Sequence, residues 1–287
     1  MLTQILIPVG LILIMFSIGL GLQVSDFNRI LVSPRAVITI LVMQMVFLPI
    51  SAFVISLLLE MPPELCLGLV LIAACPGGIT SNMLTRLARG DAALSVGLTV
   101  ITSFLSVLSI PLVLQLISPF INGQATIITL SFFDVARQIL VLTVLPLATG
   151  MFLRTKYPNH SARLESPVVM TTSLFFLLLV ALTWANQWEN IFASLAAVGI
   201  AVALLIALNI FSGAAVAKLM RLRDKEQTTM LVEIGIQNSA MAFMIAANIL
   251  NDMTAAIPSA LYSVFMVLTG LIIVGLRRQA APKQIST

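Results

Sequence analysis

The chain has 287 residues, of which 60% are hydrophobic and 9% are charged, and its mean hydropathy is +1.11. A soluble globular domain is excluded, because a chain of this composition has too few polar side chains to cover its surface. Its apolar runs have the length of membrane-spanning helices rather than of barrel strands. The sequence therefore predicts an all-α, polytopic membrane protein in contact with the lipid bilayer.

Apolar runs between polar segments predict nine transmembrane helices. They cover roughly residues 4–24, 35–59, 63–89, 91–116, 129–153, 166–185, 191–218, 226–250 and 254–276. The first run lacks a basic start and a small-residue cleavage site, so we interpret it as a retained span rather than as a signal peptide. The polar segment 157–161, which contains the single histidine, is expected to be a solvated loop.

The basic residues indicate the orientation of these spans. All but one of the 15 Lys and Arg residues fall at connections on one side, and Arg137 lies just inside the fifth span. Because cytoplasmic loops carry the excess of Lys and Arg, we expect an external N-terminus and a cytoplasmic C-terminus in the plasma (inner) membrane. The positive charge thus reflects orientation and not nucleic-acid binding. The residues on the basic side are Arg29, Arg35, Arg86, Arg89, Arg154, Lys156, Arg163, Lys218, Arg221, Arg223, Lys225, Arg277, Arg278 and Lys283.

The third span contains an interruption at Cys75-Pro76-Gly77-Gly78. Pro76 has no backbone donor and crowds the preceding turn, and the two glycines have little helical preference. Backbone groups freed at membrane depth persist only where they face protein or a watery cavity. A broken helix followed by Thr80, Ser81 and Asn82 is typical of ion and substrate sites in transporters. The alternative is a simple kink whose backbone is satisfied by the neighbouring hydroxyls.

The eighth span has a corresponding interruption, Glu233-Ile234-Gly235-Ile236-Gln237-Asn238-Ser239. In the predicted orientation the third span runs inward and the eighth runs outward. Ser81 and Glu233 each lie about 12 Å from the cytoplasmic end of their span, at about 1.5 Å per residue. The two discontinuous helices are therefore expected to cross at similar depth, as in a weak inverted repeat.

Oxygen-bearing side chains accumulate around the two interruptions. Glu233 is the single carboxylate well inside a predicted span, which makes it a functional candidate, the alternative being a protonated structural glutamate. Ser95 and Thr99 are four residues apart and share one helix face. With Ser81 and Asn82 they offer the oxygen ligands that sodium takes. Three further amide side chains lie within the spans: Gln44, Gln237 and Asn238. For each of them, hydrogen bonding between helices is as good an explanation as a ligand role.

Three motifs resemble those of the bile acid:sodium symporter family. They are Ala74-Cys75-Pro76-Gly77-Gly78 with Ser81-Asn82, then residues 87–96, then residues 233–239. The resemblance covers essentially the whole chain, beginning at residues 19–22 and 26–27. The resemblance implies one transporter unit over residues 1–287, with a core (about 35–116 and 191–276) that moves against a panel (about 4–24 and 129–185). It implies sodium-coupled symport of an organic anion by alternating access and no enzyme activity; a proton-coupled or uncoupled carrier or channel is the alternative.

The resemblance also assigns residues to two sodium ions and a substrate. One ion would be held by Ser81, Asn82, Ser95, Thr99 and Glu233. The second would be held by Gln44, Glu233, Gln237 and the backbone carbonyls of Ile234 and Ile236. The substrate would contact Ile79, Thr80, Asn238, Ser239 and Met266. Ile79 stands where a relative has Thr, and Met266-Val267 where one has His-Asn. The substrate is therefore either a bile acid-like anion or a small carboxylate such as pantoate or a keto acid.

The predicted orientation is testable with reporters fused after residue 287. A reporter that is active only in the cytoplasm should be active there, because the basic connections and the C-terminus are expected on the same side. The same reporter placed in the predicted external connection near residue 125 should be inactive. Activity of an external reporter at the C-terminus would show that the number of spans is wrong by one.

Overall fold

The computed structural model of the protein describes residues 2–23, 32–121, 131–186 and 188–280. Eleven helices form its regular structure within these ranges, and no strand occurs in them. They are α1 (Leu2–Leu20), α2 (Pro34–Leu58), α3 (Pro63–Ala74), α4 (Ile79–Leu87), α5 (Ala92–Ile121), α6 (Phe132–Lys156), α7 (Pro158–Asn186), α8 (Trp188–Leu219), α9 (Asp224–Gly235), α10 (239–249) and α11 (Ile257–Ala280).

The predicted interruptions are present at both places. Between α3 and α4 the chain bends by 56°, and Cys75 has extended backbone angles. Between α9 and α10 the helix ends at Gly235 and Ile236 is again extended. Each interruption consists of a few non-helical residues, so α3 with α4 and α9 with α10 correspond to the third and eighth predicted spans.

Two long helices contain a short π-helical stretch that ends two residues before a proline. In α2 the stretch is Met43–Phe47 and precedes Pro49; in α6 it is Leu140–Val144 and precedes Pro146. Proline has no N–H and clashes with the carbonyl four residues earlier, so the wider π turn relieves the crowding. In α2 this stretch contains the buried side chain of Gln44.

The protein is a multi-pass membrane protein. Within the described ranges, six helices are long and apolar enough to cross a bilayer, and the α3–α4 pair makes seven. In an apolar 18-residue window of 224–249, 94% of the residues are buried, compared with 50% in the corresponding window of α2 and 44% in that of α5. The second broken helix is thus surrounded by protein, whereas α2 exposes a stripe of apolar side chains (Ile38, Val42, Val46 and Ile50) suited to lipid. Nine spans remain a prediction.

The helices pack through glycines where two backbones approach closely. The first set of helices consists of α1, α6 and α7, and α1 lies against the other two. A Cβ at Gly150 of α6 would lie 2.5 Å from the carbonyl oxygen of Phe16, so only glycine fits there. The second set consists of α3, α5, α8, α9 and α11, which pack around the two interruptions. The movement of one set against the other stays a prediction, as does the inverted repeat.

One sequence-based expectation about local structure is wrong. The polar segment 157–161 is not a loop, because α7 begins at Pro158 and runs through it. Proline is favoured in the first turn of a helix, where its missing N–H would have no partner in any case. The expected positions of Arg29, Lys283 and the span ends at residues 24 and 129 lie outside the described residues.

Candidate functional site

The two interruptions contact each other through their backbones. The amide N–H of Asn238 donates to the carbonyl oxygen of Pro76 over 2.9 Å. On the other face, the buried hydroxyl of Tyr262 in α11 donates to the carbonyl oxygen of Gly235 over 3.1 Å. Groups that the broken helices leave free are therefore satisfied by protein, as buried backbone requires. The crossing brings the side chains that follow each interruption into one region.

An oxygen cluster lies at this crossing and consists of Ser81, Asn82, Ser95, Thr99 and Glu233. Ser95 Oγ lies 2.5 Å from Glu233 Oε1 and 2.8 Å from Asn82 Oδ1. Thr99 Oγ1 lies 3.2 Å from the same amide oxygen. All of these side chains are fully buried except Asn82, which is partly buried. The structure thus brings together the five side chains that the sequence suggested for a first ion.

Gly77 borders the oxygen cluster, and its lack of a side chain leaves room next to the cluster oxygens. A Cβ at this position would lie 2.6 Å from Glu233 Oε2 and 2.9 Å from Ser81 Oγ. It would also lie 3.5 Å from Thr99 Oγ1. These three oxygens, from α9, α4 and α5, therefore surround the position that a side chain at residue 77 would occupy.

The oxygen cluster has more acceptors than protons. The hydroxyl of Ser95 carries one proton for Glu233 Oε1 and Asn82 Oδ1, and the hydroxyl of Thr99 carries one for Asn82 Oδ1 and the Ser95 carbonyl. Glu233 Oε2 is buried without a hydrogen-bond partner among the described residues. Since a buried unpaired carboxylate oxygen is costly, the cluster needs a cation or a proton. A set made only of oxygens suits a hard cation.

A second group of polar atoms lies beside α2. Gln44 Nε2 donates to Gln237 Oε1 over 3.3 Å. Gln237 Nε2 donates to the carbonyl oxygens of Glu233 and Ile234 over 3.0 and 3.4 Å. Gln44 Oε1 is buried without a partner among the described residues. The structure therefore brings Gln44, Gln237 and the Ile234 carbonyl together. The amide nitrogen of Gln237, and not its oxygen, faces the backbone carbonyls. The side chain of Ile236, whose carbonyl completes the predicted set, is buried directly after α9.

A cavity of about 400 Å³ adjoins the crossing, and it is named the main cavity to distinguish it from a smaller one beside it. None of its described lining residues is charged. All five residues that the sequence suggested for substrate contact line it: Ile79, Thr80, Asn238, Ser239 and Met266. The Asn238 side chain also accepts a hydrogen bond from the Met241 N–H through Oδ1 and so caps α10. This leaves the amide Nδ2 as a donor toward a ligand.

Sequence reasoning missed the opposite wall of the main cavity. That wall is formed by α1 and α7 and includes Ser17, Thr172, Ser173 and Phe176. Thr172 Oγ1 lies 3.5 Å from Ser17 Oγ, so the two helices also meet through these hydroxyls. The available signal was the presence of hydroxyl residues within apolar runs. It does not tell which distant helix a residue faces.

Comparisons with known proteins agree with this architecture. The family model of the sodium bile acid symporter family matches residues 8–194. An uncharacterized sodium-dependent transporter, YocS, of Bacillus subtilis is 29% identical over 92% of this chain and 80% of its own length. The probable sodium/metabolite cotransporter BASS1 of Arabidopsis thaliana is 28% identical over 96% of this chain and 68% of its own length. The hepatic sodium/bile acid cotransporter of rat is 26% identical over 82% of this chain and 65% of its own length.

These relatives are named as transporters and cotransporters and not as enzymes. The family model covers well over half of the chain, from residue 8 within α1 through the first interruption to the first turns of α8. With the polytopic fold and the crossed interruptions, this match identifies the class of protein: the chain belongs to the sodium bile acid symporter family.

Proposed function

We propose that the protein is a sodium-coupled symporter of a monovalent organic anion that works by alternating access. The observation that carries the proposal is the oxygen cluster at the crossing of the two broken helices. It contains a buried carboxylate with one oxygen that has no partner among the described residues, and it adjoins a cavity whose described lining residues are all uncharged. The family and its sodium-dependent relatives support coupling to sodium.

The first sodium ion would bind between the oxygens that surround Gly77. Glu233 supplies the negative charge, and Ser81, Ser95, Thr99 and Asn82 supply neutral oxygens. Each hydroxyl can turn its proton toward a backbone carbonyl and present a lone pair to the ion; Ser81 already donates to the Gly78 carbonyl over 3.0 Å. The ion would satisfy Glu233 Oε2 and hold α4, α5 and α9 together.

A second sodium ion would bind between Gln44 and the backbone after Glu233. In the structure the amide nitrogen of Gln237 occupies the carbonyls of Glu233 and Ile234. Binding therefore requires the Gln237 amide to turn, so that its oxygen faces the ion and the Ile234 carbonyl becomes free. Gln44 Oε1, which has no partner among the described residues, would then gain one.

The organic anion would bind in the main cavity. Because none of the described lining residues is cationic, its countercharge would come from the bound sodium ions and from the helix N-termini at the two interruptions. Asn238 Nδ2 would donate to the anionic group. The substrate is a bile acid-like anion or a small carboxylate such as pantoate or a keto acid, and the cavity volume of about 400 Å³ accommodates either class.

Alternating access would move α1, α6 and α7 against the remaining helices. The cavity lies between these two groups, since α1 and α7 form one wall and α4, α10 and α11 form the other. The protein would reside in the plasma (inner) membrane with its N-terminus outside and its C-terminus in the cytoplasm.

Proton coupling is the second candidate, because protonation would also relieve the unpartnered oxygen of Glu233. The two candidates differ in the ion that drives uptake. Sodium-coupled uptake requires sodium at every pH, whereas proton-coupled uptake persists when sodium is replaced by choline and follows an imposed pH gradient.

The first prediction concerns Glu233. Glu233→Gln should abolish sodium-dependent uptake and raise the sodium concentration at the thermal-shift midpoint at least about tenfold, since it removes the charge that would hold both ions. The folded protein should remain, because glutamine has nearly the same shape. Glu64→Gln, which removes the same charge at the start of α3, is the control and should leave the midpoint unchanged. An unchanged midpoint in Glu233→Gln would refute the assignment.

The second prediction compares two neighbouring glycines. Gly77→Ala places a Cβ 2.6 Å from Glu233 Oε2 and should weaken sodium binding at least about tenfold. Gly78→Ala is the matched control. Its Cβ would lie no closer than 3.7 Å to its nearest neighbour, and its backbone is extended at φ −149°. Sodium titration by thermal shift measures both variants, and an equal loss in the two would place the ion elsewhere.

The third prediction concerns charge movement. With Glu233 ionised, the empty site carries one negative charge, which two sodium ions and one monovalent anion neutralise. The loaded carrier is neutral and the empty carrier returns negative, so each cycle moves one positive charge inward. The membrane potential then contributes about 2.3 kcal/mol per charge per 100 mV.

Proteoliposomes with a fixed sodium gradient provide the measurement, with the potential set by potassium and valinomycin. Uptake of a monovalent substrate should increase when the interior is made negative. Uptake that does not respond to the potential would mean one sodium ion per anion, and the second site around Gln44 and Gln237 would have to be abandoned.

A further inference from the structure

A smaller cavity of about 180 Å³ lies next to the main cavity. The two cavities share three lining residues: Ser17, Ile18 and Ile79. The smaller one extends from Ile79 along α4 to Arg86 and is closed on the other side by the end of α1 and by Glu165 and Val169 of α7. It leads from the crossing toward the C-terminal end of α4, which the predicted orientation places on the basic, cytoplasmic side.

The smaller cavity contains two charged residues with different surroundings. Glu165 lies 3.4 Å from Arg154 Nη1 of α6 in an ion pair. Arg86 lines the same cavity and makes no ion pair among the described residues. Because Glu165 is paired with Arg154, Arg86 has no carboxylate partner within the part of the chain that the structure describes. No other described lining residue of either cavity is cationic.

We propose that this smaller cavity is a second binding subsite for the organic anion, in which Arg86 binds its carboxylate or sulfonate group. The subsite lies on the path between the main cavity and the basic side, and Ile18 and Ile79 separate it from the main cavity. Arg154 is a positioning residue, because it keeps Glu165 from pairing with Arg86. The identity of the ligand rests on the proposed function, whereas the positive character of the cavity does not.

This arrangement has a consequence for anion movement. In the main cavity the anion would be held by neutral lining groups and by sodium ions, and it would lose its countercharge when the ions leave. Arg86 offers a permanent cation one step further along, so an anion that passes Ile79 gains a partner as it loses the ions. Loss of Arg154 would free Glu165 to neutralise Arg86 and remove that partner.

The test measures the charge of the subsite with thiol reagents at Met83→Cys. Met83 is 54% exposed and lines the smaller cavity. Both native cysteines are buried, so the unsubstituted chain gives the background labelling. The quantity measured is the ratio of labelling rates for a sulfonate and a trimethylammonium methanethiosulfonate of equal length.

Arg86→Gln in the Met83→Cys background should lower the sulfonate preference by about fivefold to tenfold, as expected for removal of one nearby charge in a water-filled cavity. Arg89→Gln is the control, since Arg89 is an exposed cation three residues further on that lines neither cavity. Equal effects of the two substitutions, or no effect of Arg86→Gln, would overturn the proposal.

Arg154→Gln should lower the ratio nearly as much as Arg86→Gln, and adding Glu165→Gln should restore it. A loss of packing alone would not be reversed by the second substitution. Lys156→Gln, two residues away at the end of α6, should have no effect. A ratio that Arg154→Gln leaves unchanged would remove Arg154 from the proposal.

Protection from labelling then tests the ligand. Taurocholate or pantoate should slow labelling of Met83→Cys by the sulfonate reagent, and the protection should be lost in Arg86→Gln. If neither anion protects, the cavity is not a substrate subsite. Labelling requires no sodium. A preference for the sulfonate reagent that depends on Arg86, in a protein without a sodium-dependent thermal shift, would contradict sodium coupling but leave the charged subsite intact.

Discussion

The structure depends on how two broken helices satisfy their backbone groups away from water. Each unsatisfied N–H or C=O at membrane depth costs several kcal/mol, so an interruption persists only where a partner is fixed beside it. Here each interruption supplies a partner for the other, through the hydrogen bond from Asn238 N–H to the Pro76 carbonyl. Tyr262 satisfies the last carbonyl of α9. The crossing is therefore a structural requirement of the breaks themselves, and the side chains after each break are brought together by it.

The oxygen cluster and the main cavity are connected through the first residues of α4. Ile79 and Thr80 line the cavity, while Ser81 and Asn82 belong to the oxygen cluster one residue further on. A cation between Ser81 and Glu233 would restrain the start of this short helix and with it one wall of the cavity. Because the cluster has surplus acceptors, it would hold α4 less firmly without the cation. Binding of ion and substrate would thus be linked through a few bonds of backbone.

The sequence was most informative where local chemistry decides the structure. Pro76 with two adjacent glycines predicted the first interruption, and Gly235 followed by polar side chains predicted the second. The intramembrane Glu233 and the oxygen-bearing side chains near it suggested the oxygen cluster. The start of α7 was predicted wrongly, since polarity was taken as a sign of a loop where Pro158 in fact begins a helix. The wall formed by Ser17 and Thr172 could not be predicted, because periodicity gives the faces of a helix and not the helix that each face contacts.

The residues proposed for the first sodium ion are not those proposed for substrate contact. The two positions that depart from the pattern of a relative, Ile79 and Met266, both line the main cavity. Neither belongs to the oxygen cluster, whose five side chains are complete. An isoleucine in place of threonine removes a hydroxyl from the wall, and a methionine in place of histidine removes a donor that could become charged. In the proposed mechanism the cavity would therefore offer an anion fewer direct polar partners, and the anion would depend more on bound cations and on Arg86.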